Sequence, residues 1–129
     1  MALISNTVLT AATTATGTYP ASGGVANQGW SPGQYDASVA LQVTTSVTSG
    51  SPSAVFKLQG SVDGGVTFVD LAMLPSDSDT VATSFTKATV NTWVYFVAQS
   101  PGYRKFTHYQ LVVSTLTTIT IAANLCLLT

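Results

Sequence analysis

The sequence predicts an all-β protein, folded as a single antiparallel β-sandwich or jelly-roll-like domain of about eight strands. Three observations point to this fold. Apolar and polar residues alternate with a period of two over most of the chain, as they do in strands that bury one face. Clusters of Gly, Pro, Ser and Asp separate these segments. Charged residues make up only 7% of the 129 residues and Glu is absent, which disfavours helices, because their exposed faces use Glu, Lys and Arg.

The strands are predicted from this alternation, taken in order along the chain. In the segment 38–47, for example, Val39, Leu41 and Val43 share one face and polar residues share the other. Strands are predicted at 7–14, 38–47, 56–62, 66–71, 80–87, 93–97, 105–114 and 118–128. Turns are predicted between them at 49–53, 63–65, 75–79, 100–102 and 114–117.

Residues 15–35 depart from this pattern. They contain five Gly and two Pro and show no periodicity. A loop of this length is uncommon in a compact domain and is often functional. We therefore divide the chain into 1–35, an N-terminal strand plus an extended Gly/Pro arm, and 36–129, the β-sandwich domain. The alternative is an ordinary long loop that folds over one end of the sandwich.

The composition excludes several classes of protein. Because its net charge is −1, the chain lacks the positive surface by which proteins bind nucleic acid. The single cysteine, Cys126, and the single histidine, His108, cannot form a disulfide framework or a zinc site. The first twenty residues contain no signal peptide, and no stretch is long and apolar enough for a transmembrane helix. We expect synthesis in the cytoplasm and no membrane partner.

Catalytic residues are equally scarce. A Ser-His-Asp triad would have to use His108, and no serine lies in a nucleophile-elbow pattern. Asp77 and Asp79 lie in a turn, and they are too few for a calcium loop. We expect that the protein is not an enzyme and that it binds no metal, cofactor or small-molecule substrate.

The amino-acid composition is unusually apolar for a monomer. The mean hydropathy is +0.37, and little charge protects the chain from association. This composition is typical of a subunit whose surface is covered by neighbours; a monomer solvated by Ser and Thr is the alternative. Tyr19, Trp30 and Tyr35 lie in the Gly/Pro segment and are candidate interface residues, because Tyr and Trp are enriched at interfaces. For Trp93 and Tyr109 we expect a place in the core. A sugar-stacking platform or an interface is the alternative for a wider set of aromatic residues, which are Trp30, Tyr35, Trp93, Tyr95, Tyr103 and Tyr109.

Residues 61–68 read Ser-Val-Asp-Gly-Gly-Val-Thr-Phe. This pattern resembles the Asp-box of sialidases and other glycan-active β-propellers. The aspartate can accept hydrogen bonds from N–H groups of the turn, and the glycines allow positive φ. One copy is too little for a propeller, so the resemblance implies a hairpin and no activity. The structural hairpin is assigned to Ser61, Asp63, Gly65, Thr67 and Phe68.

The order of segments resembles that of small virion structural proteins of tailed phages. A Thr/Ala-rich strand is followed by an alternating strand, a Ser/Pro linker, a Phe-x-Leu-Gln-Gly-Ser-x-Asp-Gly-Gly segment and two final alternating strands. In this chain these segments are 7–14, 37–47, 48–53, 56–65, 109–113 and 119–123. The resemblance implies a jelly-roll-like capsid cement, or decoration, protein, or a neck or tail accessory protein.

The function expected from these observations is adhesive. The leading hypothesis is a non-enzymatic cement protein on the capsid surface of a double-stranded DNA phage. It would bridge and stabilise major capsid protein subunits, associate with copies of itself, and extend the arm 1–35 onto a neighbour. The alternatives are a carbohydrate- or receptor-binding β-sandwich module and a phage neck or tail accessory protein.

Overall fold

The computed structural model describes residues 3–26, 38–97 and 106–128. Over these residues the chain forms eleven strands in two antiparallel sheets, which confirms the predicted all-β sandwich. In this part of the chain no helix is long and apolar enough to span a membrane. The strands are β1 (Leu3–Thr13), β2 (Gly17–Tyr19), β3 (Val25–Ala26), β4 (Ser38–Val47), β5 (Ser53–Ser61), β6 (Val69–Asp70), β7 (Met73–Pro75), β8 (Phe85–Lys87), β9 (Asn91–Val97), β10 (His108–Thr117) and β11 (Ile119–Leu128).

The two sheets are built around the long strands. Sheet A has the order β1-β11-β4-β9-β7. Sheet B has the order β2-β10-β5-β6, with β3 also pairing with β10 and β8 also pairing with β5. The pairing of β1 with β11 joins segments from opposite ends of the chain, since Leu3 lies across from Leu128. The first strand of the sequence is therefore an integral part of sheet A.

Two of the crossings between the sheets lie at the same end of the sandwich, the one from β4 to β5 and the one from β10 to β11. The second crossing turns at Thr118, which has a φ of 52°. Its carbonyl accepts a hydrogen bond from Thr48 N at 2.8 Å, and its hydroxyl donates to Gly50 O at 3.0 Å. The turn predicted at 114–117 is wrong, because β10 continues through these Ser and Thr residues while it pairs with β5.

The core lies between the sheets and consists of the inward residues of the long strands. Leu41 and Val43 of β4 face Leu58 of β5 and Leu111 of β10, all fully or almost fully buried. Leu9 brings β1 into the same core. An aromatic cluster is formed by three rings whose centroids lie 4.5–6.1 Å apart, Phe56, Phe85 and Tyr95. The apolar face predicted for each long strand is thus the buried face.

The additional strands are short. β2 and β3 lie within the segment 15–35 and pair with β10. The strands predicted at 66–71 and 80–87 are reduced to β6 and β8, and β7 forms where a turn was expected to begin. Strands of two or three residues contain too few positions for alternation to be recognised, which explains why eleven strands are present where about eight were predicted.

Candidate functional site

The connection between β5 and β6 is a turn held by two of its own side chains and by Thr107, whose hydroxyl accepts from Gly64 N at 3.3 Å. Ser61 Oγ donates to Asp63 Oδ1 at 2.6 Å and accepts from Gly65 N at 3.0 Å. Asp63 Oδ1 also accepts from Val66 N at 3.3 Å and from Thr67 N at 2.9 Å. The carboxylate is therefore occupied by bonds within its own turn, as expected of a group that shapes the backbone.

The same turn packs against the short β2–β3 segment. Gly64 and Gly65 have φ values of 79° and 89°, which favour glycine. A side chain on Gly65 would reach within 2.2 Å of Gly23 O, and one on Gly24 would meet the ring of Phe68 at 2.8 Å. The structure thus places the five predicted hairpin residues in one connection, and it adds a close approach to residues 23–24 that the sequence did not indicate.

The hydrogen bonds to Asp63 have a consequence for pH dependence. The bond from Ser61, and then those from the turn, lower the pKa of Asp63 from 3.8 to about 2. Because the folded pKa lies below the unfolded one, the stabilisation is complete above about pH 4 and is lost as the pH falls towards 2. We expect Asp63→Asn to lower the free energy of unfolding at neutral pH and to lose this difference near pH 2.

Denaturant titrations of wild type and Asp63→Asn at pH 7 and pH 2 measure this change. Asp79→Asn is the control, because it removes one negative charge from an exposed loop without removing any hydrogen bond between described side chains. A difference between wild type and Asp63→Asn that is the same at both pH values would contradict the assigned role of the carboxylate.

Among the described residues, the strands of sheet A place no charged side chain on its outer face. None of the five strands of this sheet includes Asp, Glu, Lys, Arg or His. Apolar groups are exposed on it: Val8 is 62% exposed and Leu74 is 36% exposed. We call this surface the neutral face; it consists of Val8, Gln42, Thr44, Leu74, Thr92, Val94, Phe96, Ala122, Asn124 and Cys126.

The polar groups of the neutral face bond mainly to one another. Asn124 Nδ2 donates to Gln42 Oε1 at 3.5 Å, and the hydroxyls of Thr44 and Thr92 lie 3.1 Å apart. Both pairs bridge neighbouring strands. The face is therefore a broad surface of short, uncharged side chains, with few groups that would have to give up strong hydration on contact with another protein.

The outer face of sheet B, unlike the neutral face, carries charged side chains. Gln110 Nε2 donates to Gln59 Oε1 at 2.7 Å, and Gln59 Nε2 donates to Asp70 Oδ1 at 2.8 Å. Lys57 Nζ lies 3.1 Å from the same carboxylate oxygen, and the bonds from Gln59 and Lys57 lower the pKa of Asp70. Lys87 of β8 lies on the other side of its strand, where its Nζ is 4.9 Å from the centre of the Trp93 ring of β9. The charges that lie on strands of the described residues are thus all in sheet B.

No family model and no curated protein sequence matches the chain. The fold is similar to that of the SPBc2 prophage-derived protein YomS. Its crystal structure superposes with a TM-score of 0.59 over 95% of this chain and 91% of that chain, at 15% sequence identity. This likeness extends over both sheets of the sandwich, and at this identity it shows a shared fold alone. YomS carries the fold in a chain of comparable length.

Of the three predicted interface residues, the structure describes Tyr19. Tyr19 lies in β2, where its ring packs against the core and its hydroxyl donates to Ala15 O. Trp30 and Tyr35 lie outside the described residues. Within the three described ranges no group of three or more His, Cys, Asp or Glu side chains is placed to hold a metal ion.

The sequence alone does not predict the neutral face, although the uncharged segments that form it can be seen in the sequence. The segments 3–13, 38–47, 91–97 and 119–128 contain no charged residue. Only the strand order shows that these segments are neighbours in one sheet. The low overall charge indicated a covered surface, and the topology locates the part of the surface where charge is absent.

Proposed function

We propose that this chain is a non-enzymatic virion structural protein of a double-stranded DNA phage, of the capsid cement type, which bridges and stabilises major capsid protein subunits. The observation that carries the proposal is the neutral face. A surface without charges suits permanent adhesion to another protein better than recognition of a charged ligand. The likeness of the fold to a prophage-derived protein supports a phage origin.

The neutral face is comparable in area to one side of such a contact. Strands of up to eleven residues, spaced about 4.8 Å apart with a rise of about 3.4 Å per residue, give a face on the order of 700 Å². A standard interface buries about 800 Å² on each partner. Attachment through this face would depend on apolar burial and short polar contacts, so it should survive high salt, because salt screens charges.

A matched pair of lysine variants tests the proposal. Thr44 is exposed on the neutral face and Thr86 is exposed on β8 of sheet B. We expect Thr44→Lys to weaken attachment about a hundredfold or more, because it buries an unpaired charge in the contact. Thr86→Lys should attach as wild type does. The measurement is co-sedimentation with capsids of the encoding phage prepared without this protein, at low and at roughly molar salt.

Two results would contradict the proposal. Release of the wild-type protein at high salt would show that the contact is ionic, and equal attachment of both variants would show that the neutral face is not the contact. Gold-labelled antibodies against the protein distinguish the location in virions. Label over the whole shell supports capsid cement, and label confined to one vertex supports a neck or tail accessory protein instead.

A further inference from the structure

The edges of the two sheets are unequally protected against pairing with another strand. Sheet A has β1 at one edge and β7 at the other. β7 has three residues and ends in Pro75. At the edges of sheet B, β2, β3, β6 and β8 have two or three residues each, and Asp70 and Lys87 lie on two of them. Short strands, proline and charge are the usual means by which proteins block edge pairing.

The edge formed by β1 lacks these protections. This strand is eleven residues long and contains no proline and no charged residue. Within the described residues it pairs with β11 alone. No other described strand covers the backbone N–H and C=O groups on its other side, which are open to a further strand, although Ala11 O already accepts from Thr10 Oγ1 at 2.8 Å. Irregularities in its pairing with β11, between Val8 and Thr10 and between Thr10 and Thr13, bend the strand locally without covering it.

We propose that β1 pairs antiparallel with β1 of a second copy of this chain, so that sheet A continues across a two-fold axis. Antiparallel pairing of identical strands is self-complementary, because each copy offers the same donors and acceptors. A neutral strand on a chain of net charge −1 adds almost no repulsion between copies. The proposal rests on the unequal protection of the sheet edges and does not depend on the proposed function.

Complete overlap of the two strands defines one register. Residues directly opposite each other in an antiparallel pair point to the same side of the sheet, so exposed positions must face exposed positions. Full overlap of Leu3–Thr13 with itself sets Val8 opposite Val8 of the second copy, at the middle of both strands. Val8 is 62% exposed in the single chain, and this pairing would bury it against an identical apolar side chain.

Disulfide trapping tests this register. Opposite residues have Cα atoms about 4.5–5.5 Å apart, within the range of about 4.4–6.8 Å that a disulfide requires. In a Cys126→Ser background, Val8→Cys should form a cross-linked dimer on mild oxidation, at a rate about tenfold or more above Val90→Cys. Val90 is the matched control, because it is 65% exposed and lies outside the strands. Equal cross-linking of the two variants would overturn the register.

Sedimentation equilibrium of the purified protein gives a second readout. Wild type should be a dimer, and Val8→Lys should raise the dissociation constant about tenfold or more, since it places like charges opposite each other. Thr44→Lys, two strands away from the edge, should leave the dimer intact. A monomeric wild type, or a dimer lost in Thr44→Lys and kept in Val8→Lys, would overturn the edge pairing. Either result leaves the capsid test unaffected, because that test measures attachment and not self-association.

Discussion

Gly65→Ala should lower the free energy of unfolding by about 3 kcal/mol or more, the largest loss expected from any single methyl group in this turn. Gly65 has a φ of 89°, where an L-residue is strained by roughly 1–2 kcal/mol. Its added Cβ would also lie 2.2 Å from Gly23 O. That atom belongs to the backbone, so relief of the overlap requires the 61–68 turn and residues 23–24 to separate.

The adjacent Gly64 provides the control. It has a similar φ of 79°, but no atom lies within 4 Å of a Cβ built on it. Gly64→Ala should therefore cost only the conformational strain, roughly 1–2 kcal/mol. Denaturant titration of both variants measures the difference. If the two losses are equal, the approach of Gly23 to the turn contributes nothing to stability.

The double variant Tyr95→Phe, Tyr109→Phe should be more stable than wild type by about 2 kcal/mol or more. Both tyrosines are fully buried, and among the described residues neither hydroxyl has a hydrogen-bond partner. A buried hydroxyl without a partner costs about 1–3 kcal/mol, so its removal should recover part of that free energy at each site. Both rings keep their apolar surroundings.

Tyr19→Phe is the matched control for this prediction. Its hydroxyl donates to Ala15 O, so the same change removes a bond that is made and should not stabilise the protein. Thermal and denaturant unfolding of the three proteins compare the effects. A double variant that is less stable than wild type would show that the two buried hydroxyls have partners in solution.

The long strands could be predicted because their packing is regular. β4, β5, β10 and β11 each present at least three alternate apolar side chains to one core, and a period of two is reliable over that length. The short strands could not be found in this way. β7 consists of Met-Leu-Pro, and its place beside β9 depends on backbone pairing with Val97 and Tyr95, which leaves no local pattern in the sequence.

The candidate site likewise has one part that depends on residues close together in the sequence and one part that depends on residues far apart. The turn at Ser61 and Asp63 could be predicted because the bonds made by these two side chains join residues at most four apart. Its bonds to the distant Thr107 left no local signal. The neutral face could not, since Thr44, Thr92 and Ala122 are neighbours only through strand pairing. The crossing at Thr118 was also missed, because it is fixed by bonds to Thr48 and Gly50 far away in the sequence.

The position of β11 between β1 and β4 determines when sheet A can assemble in a cell. β1 leaves the ribosome early and has no place in the sheet until β11, more than a hundred residues later in the chain, has followed. At about 5–20 residues per second this interval lasts roughly 5–20 s. During that time an uncharged strand is exposed beside identical nascent chains on the same messenger RNA. Synthesis rate and chaperone access should therefore influence how much of the protein escapes aggregation.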